Sequence, residues 1–261
     1  MTSTSRVRPL PGTLLRAALL AAHLALGVLL ALALCVGGGR QWYRTRHGRR
    51  VLAVWMGTLN RLLRMRVRVS GAPCDGPVLL VANHVSWLDI PALAAVTPAV
   101  FVAKAEVRQW PLIGWLSARA GTSFLQRASL MGVRGVIDRL AQELDRGVRC
   151  AIFPEGTTTC GDDVAPFRAA LYRPAGNGHR VVQAVAIRYC RDGCRDAIAP
   201  FVGDEAFLPH LWRVLRHGGF EVRLHFCAPA TAAADRRVLA EATRAAIRQR
   251  LCGASASTKV A

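Results

Sequence analysis

Two residue types able to move a proton stand five positions apart, His84 and Asp89, in the stretch Asn83-His84-Val85-Ser86-Trp87-Leu88-Asp89. The apolar run before them, Val78-Leu79-Leu80-Val81-Ala82, is short enough for a buried strand, and residues 90–96 read as a helix. The pair therefore sits where a strand hands over to a helix, and the first helical turn carries Asp89 back toward His84. An imidazole held in one tautomer by a carboxylate is a general base for a hydroxyl. The same residues also fit a capping box, with Ser86 capping the helix and Asp89 reaching back to it. Spacing alone leaves both readings open.

Three further stretches fall at strand ends or in the loops after them. In Gly121-Thr122-Ser123-Phe124-Leu125-Gln126-Arg127 an apolar pair leads to Arg127, whose guanidinium can fork onto phosphate oxygens. In Ile152-Phe153-Pro154-Glu155-Gly156-Thr157-Thr158 the proline stops the strand and Gly156 permits a tight turn, presenting Glu155 and the Thr157 hydroxyl at the sheet edge. Glu155 is placed either to bond a substrate hydroxyl or to hold Arg127. Residues 182–187 (Val-Gln-Ala-Val-Ala-Ile) read as a strand, either an ordinary core strand or one lining an acyl chain's path.

The elements that must position these groups follow from periodicity. Strands are expected at 66–69, 78–82, 99–103, 122–125, 149–153, 181–189 and 221–226, and helices at 87–96, 129–146, 208–217 and 235–251. Strands alternating with helices imply an α/β domain, a mixed and largely parallel sheet covered by helices on both faces. We place this domain at 65–252, after a disordered basic terminus (1–16) and a helical anchoring segment (17–64), and before a frayed tail (253–261).

Within that segment, residues 17–36 are apolar apart from His23. Twenty helical residues cover about 30 Å, a bilayer's hydrocarbon thickness. The apolar run exceeds a usual signal core and a dense basic segment follows it, so a retained membrane anchor is expected in preference to a cleaved leader. Arg40, Arg44, Arg46, Arg49 and Arg50 follow the span against Arg6, Arg8 and Arg16 before it. That bias leads to the expectation that the C-terminal domain is on the cytoplasmic face. Residues 49–64 form an amphipathic helix, either lying in the membrane interface or packed on the domain.

The chain of 261 residues is 52% hydrophobic, and its net charge of +19 comes from 35 basic and 16 acidic residues. All but two of the basic residues are arginine, Lys104 and Lys259 being the exceptions. Such a balance suits anionic partners. Basic residues are dispersed among apolar periodic segments with no nucleic-acid module, so a nucleic-acid partner is not expected. Eight cysteines form no Cys-x-x-Cys pair and no cluster with histidine at zinc-site spacing, so reduced thiols and no metal are expected.

Taken together, the His-x4-Asp, Gly-to-Arg127, Phe-Pro-Glu-Gly-Thr and 182–187 blocks resemble the glycerolipid acyltransferase family, which includes lysophosphatidic acid acyltransferases. The resemblance covers residues 65–190, and the segments 101–107 and 110–114 also look like bacterial members. Ala184 departs from it, standing where many members have proline. The resemblance implies that His84 is the catalytic base, Asp89 its orienting partner, and Arg127 the residue for the acceptor's anionic head, with Glu155, Gly156 and Thr157 on the acceptor side. It further implies transfer of an acyl group from acyl-CoA or acyl carrier protein, both donor substrates, to 1-acylglycerol 3-phosphate, making phosphatidate. Another lysolipid such as lyso-ornithine lipid is the alternative acceptor. The partners implied are membrane lipid, a lysophospholipid and acyl carrier protein, with no cofactor. A lipid hydrolase is the competing enzyme class, though Gly-x-Ser-x-Gly and His-Glu-x-x-His are both missing from the sequence. A non-catalytic membrane-tethered binder is the other competitor.

Overall fold

The computed structural model describes residues 12–126, 130–176, 180–231 and 235–256. Two helices lead, α1 (Thr13–Gly38) and α2 (Arg46–Leu62). The domain follows as β1 (Met65–Ser70), β2 (Val78–Ala82), α3 (Asp89–Val96), β3 (Val100–Lys104), α4 (Ile113–Arg119), β4 (Ser123–Leu125), α5 (Leu130–Asp145) and β5 (Cys150–Ile152). It ends with β6 (Val181–Arg191), β7 (Cys194–Arg195), α6 (Phe207–Arg216), β8 (Phe220–Phe226), β9 (Ala230–Thr231) and α7 (Arg236–Ala256).

Among the described residues the strands form one sheet in the order β1-β8-β6-β2-β5-β3-β4, with β7 and β9 on β6. Pairs β1–β8, β2–β6, β2–β5, β3–β5 and β3–β4 are parallel, and β6–β8 is antiparallel. The mixed, largely parallel sheet covered by helices is thus present. Strand β2 explains its apolar run: Val78, Leu80 and Ala82 face one helical layer and Leu79 and Val81 the other, and all five are buried. A strand covered on both faces has no polar side to display.

Ends of the expected elements of the domain hold within two residues, except that α7 continues to Ala256 and so removes 253–256 from the expected frayed tail, and before the domain α2 begins at Arg46, three residues ahead of the expected 49. At the other end α1 starts at Thr13, which corrects the expected disorder over 13–16, while residues 1–11 lie outside the described residues. Helix α4 and the short strands β7 and β9 were not expected.

Helix α1 is long and apolar enough to cross a membrane by length and composition, yet one stripe of it is seated on the domain. Arg16, Leu20, His23 and Ala31 are buried on that stripe. Arg16 donates from Nη1 to the His217 carbonyl at 3.3 Å, and the His23 ring stacks on Trp55 of α2 at 4.6 Å. Gly27 belongs to the same stripe, because a Cβ there would meet the Trp55 ring at 2.5 Å. The opposite face exposes Leu14, Leu15, Leu19, Leu26, Leu29, Leu32 and Val36. Helix α2, capped by the Thr45 hydroxyl accepting from Gly48 N, packs on α3, where Asn60 donates to the Pro91 carbonyl at 3.1 Å. The stretch 49–64 therefore packs on the domain.

Candidate active site

Strands β2, β3, β4 and β5 run parallel, so their carboxyl ends share one edge of the sheet. In open α/β sheets ligands bind in the crevice outside the carboxyl ends of the strands. His84 leaves β2 there. Its partner Asn83 is zipped to β6, donating to the Ile187 carbonyl (2.9 Å) and accepting from Ile187 N (2.8 Å), which fixes where β2 stops.

His84 and Asp89 meet: Nδ1 lies 2.7 Å from Oδ2. Asp89 is fully buried and carries Val85 N (2.8 Å) and Ser86 N (3.1 Å) on the same oxygen. Its other oxygen accepts from the Tyr189 hydroxyl at 2.6 Å. With Nδ1–H directed at the carboxylate, the lone pair of the neutral ring is on Nε2. The His84 side chain keeps about 20% of its surface exposed and stacks on Phe153 at 4.1 Å. A buried carboxylate orienting a partly exposed imidazole is the arrangement of a general base and its positioning acid.

The capping expectation for Ser86 is corrected. Asp89 does reach back to Ser86 N, but the residue before the helix, Leu88, makes no side-chain cap, and Ser86 Oγ is buried with no hydrogen-bond partner.

Glu155, in the turn after β5, is 4% exposed. Its Oε1 accepts from His84 N at 2.6 Å and its Oε2 from Ala165 N at 2.9 Å. The carboxylate thus ties the β5 turn to the backbone of the histidine itself. Burial pushes its carboxyl above the usual range, against the pull of those two amides and of His84. Gly156 takes φ +73°, the left-handed conformation a tight turn needs, and Thr157 beside it is exposed. The same loop returns to His84, where Thr159 N donates to its carbonyl at 2.9 Å. His84, Asp89, Glu155, Gly156 and Thr157 are therefore brought to one place. Arg127 lies outside the described residues; β4, which leads to it, ends at the same sheet edge. Residues 182–187 are buried between β2 and β8, a core strand, with the Gln183 amide tying down the Ala72 and Cys227 carbonyls.

Tyr189 is the residue sequence reasoning missed. Alternation along β6 puts it with Val185 and Ile187 on the face packed near α3, a signal that was available. Burial first, then the Asp89 charge that its hydrogen bond serves, push the Tyr189 hydroxyl well above its ordinary pKa, so it stays a donor. Lys104, exposed at the carboxyl end of β3, is a cation at this edge.

A family model described as Acyltransferase matches residues 64–188. A lyso-ornithine lipid O-acyltransferase of Pseudomonas aeruginosa is 46% identical over 206 residues, 78% of this chain and 80% of the relative. A 1-acyl-sn-glycerol-3-phosphate acyltransferase of Neisseria meningitidis serogroup B is 36% identical over 173 residues, 66% of this chain and 68% of the relative. The crystal structure of the 1-acyl-sn-glycerophosphate acyltransferase PlsC from Thermotoga maritima shares the fold, with a TM-score of 0.66 at 20% identity, covering 94% of this chain and 95% of that one.

Proposed function

The chain belongs to the glycerolipid acyltransferase family and is an O-acyltransferase, and from that premise we propose that it esterifies the free hydroxyl of a lysolipid from an acyl thioester. The observation that carries the mechanism is the 2.7 Å His84–Asp89 contact, which leaves Nε2 as the base. The lysolipid hydroxyl bonds to Nε2, its oxygen attacks the thioester carbonyl, and its proton passes to the imidazole. Asp89 stabilises the imidazolium. Collapse of the tetrahedral adduct breaks the carbon–sulfur bond, and the departing thiolate takes the proton back. A thioester already has a good leaving group, so the barrier lies in activating and aligning the alcohol. No acyl-enzyme is needed, and Ser86 Oγ has no base bonded to it among the described residues.

Glu155 holds the turn against His84, and Gly156 and Thr157 border the acceptor. Arg127 takes the acceptor's anionic head. Arg127→Ala should raise the acceptor KM roughly 10- to 100-fold, and an unchanged KM in steady-state assays removes that role. The 46% identity of the relative acting on lyso-ornithine lipid favours that acceptor, against 36% for the relative acting on 1-acylglycerol 3-phosphate. The second acceptor, giving phosphatidate, is supported by the four motifs. Acyl-CoA and acyl carrier protein are both anionic donors that suit a chain of charge +19.

The exposed leucines of α1 attach the protein to the membrane by that face, with the domain on the cytoplasmic side as the flanking arginines direct. Purified protein in liposomes, given labelled acyl-CoA or acyl carrier protein and a panel of lysolipids, should yield the esterified lipid of one acceptor. Free fatty acid released without an acceptor indicates a hydrolase instead.

A further inference from the structure

The loop that Glu155 ties to His84 carries one more cation. Arg168 is anchored at both ends of its own peptide unit: its N–H donates to the Pro154 carbonyl and its carbonyl accepts from Leu171 N, each at 3.0 Å. Its side chain lies against Gly156. A Cβ at position 156 would stand 2.9 Å from Arg168 Nε and 3.0 Å from Cζ, which shows how closely the guanidinium approaches the turn, while the φ of +73° is what calls for glycine there.

The acidic groups of this loop are taken by other arginines. Asp162 pairs with Arg195 at 2.6 Å, and Asp163 with Arg248 at 2.6 and 3.0 Å. Arg244, from α7, is spent on the Val164 and Ala165 carbonyls. Arg168 is exposed, and among the described residues its guanidinium has no hydrogen bond and no ion pair. Glu155, the carboxylate nearest in sequence to the turn it covers, is already committed to His84 N and Ala165 N. An unneutralised guanidinium is thus held against the turn that braces the candidate base.

We propose that Arg168 binds the negatively charged group, phosphate or carboxylate, of the lysolipid acceptor's head. This rests on the function proposed above. In a lysolipid the charged group is only a few bonds from the free hydroxyl, so with the hydroxyl at His84 its counter-cation must sit in the adjoining loops. The phosphates of an acyl thioester are separated from the reacting carbonyl by the whole pantetheine arm, so a cation on the turn that Glu155 ties to the His84 backbone is on the acceptor's side. A planar guanidinium can fork onto either oxyanion.

The test uses the full chain in liposomes, comparing wild type, Arg168→Gln and Arg168→Lys with 1-acylglycerol 3-phosphate and with lyso-ornithine lipid. Loss of one charge-assisted contact should raise the KM of the acceptor used by roughly 10- to 100-fold. The KM of the acyl thioester and kcat should stay as in wild type, and lysine should recover part of the loss. Because Arg168 is exposed, thermal melts should coincide. An unchanged acceptor KM overturns the inference, as does a rise confined to the thioester KM. Should wild type acylate neither lysolipid, the functional reading fails, and tryptophan-fluorescence titration with 1-acylglycerol 3-phosphate then decides the inference. Weaker binding by Arg168→Gln supports it, and equal binding overturns it.

Discussion

The loops around His84 and the α1–α2 pair are held by different forces. Around His84, Asn83, Asp89 and Glu155 are buried and their oxygens are met by named donors at 2.6–3.1 Å. At the helical pair polar ties are few, Arg16 to the His217 carbonyl and Asn60 to the Pro91 carbonyl among them, and among the described residues four buried polar atoms there, His23 Nε2, Trp42 Nε1, Trp55 Nε1 and Asn60 Oδ1, have no partner. Hydrogen bonds are directional and fix positions to fractions of an ångström, whereas apolar burial fixes only which face is covered. One region can therefore hold a proton-transfer geometry. The other offers surface, and the leucines it leaves exposed ask for an apolar medium beyond the protein.

The contrast is broken most sharply at the base. His84→Ala should lower kcat about 10²- to 10⁴-fold while membrane attachment stays near wild type, since α1 is untouched. Turnover close to wild type removes His84 from the mechanism. The converse change, Leu26→Arg with Leu29→Arg on the exposed face of α1, should cut liposome partitioning roughly tenfold or more and leave the circular dichroism spectrum intact. Undiminished sedimentation with liposomes would show that this face is not what attaches the protein.

Between the regions stands Glu143 of α5, clamped by Arg44 (2.9 and 2.6 Å) and the Tyr43 hydroxyl (3.0 Å) from the turn after α1. Burial raises its carboxyl pKa, but the Arg44 and Tyr43 hydrogen bonds outweigh that and hold it below the usual range. A lowered folded-state value means stability that is present above the unfolded pKa of about 4.3 and lost as pH falls through the folded value. Glu143→Gln should cost about 1–3 kcal/mol at neutral pH in urea titrations, with the gap to wild type closing in acid. A gap independent of pH would mean the charge contributes nothing.

The smallest expected effect sharpens the account of the dyad. Tyr189→Phe removes one donor from Asp89, so activity should fall about fivefold, the worth of ~1 kcal/mol. A rate equal to wild type would show that this hydrogen bond does not serve the dyad.

Element types were legible because periodicity reports burial: β2 reads as five apolar residues since both faces are covered, and α1 as twenty since its outer face has no polar need. Ser86 misled because Ser-x-x-Asp is a capping pattern, yet Asp89 Oδ2 is shared between His84 and two amides, so only half of the box forms. Glu155 was visible as a residue a bland turn does not need, but its partners, His84 N and Ala165 N, are backbone groups and carry no sequence signal.

By itself the sequence determined most of the strands and helices, the placement of His84 and Asp89 at a strand–helix junction, and the apolar N-terminal helix, all of which depend on neighbours within a few positions. The tertiary structure alone decided that Tyr189 closes on Asp89, that α2 packs on α3, and that Arg168 covers Gly156 unpaired. Those contacts join residues far apart in the chain, and local spacing holds no record of a distance that only sheet register and helix packing create.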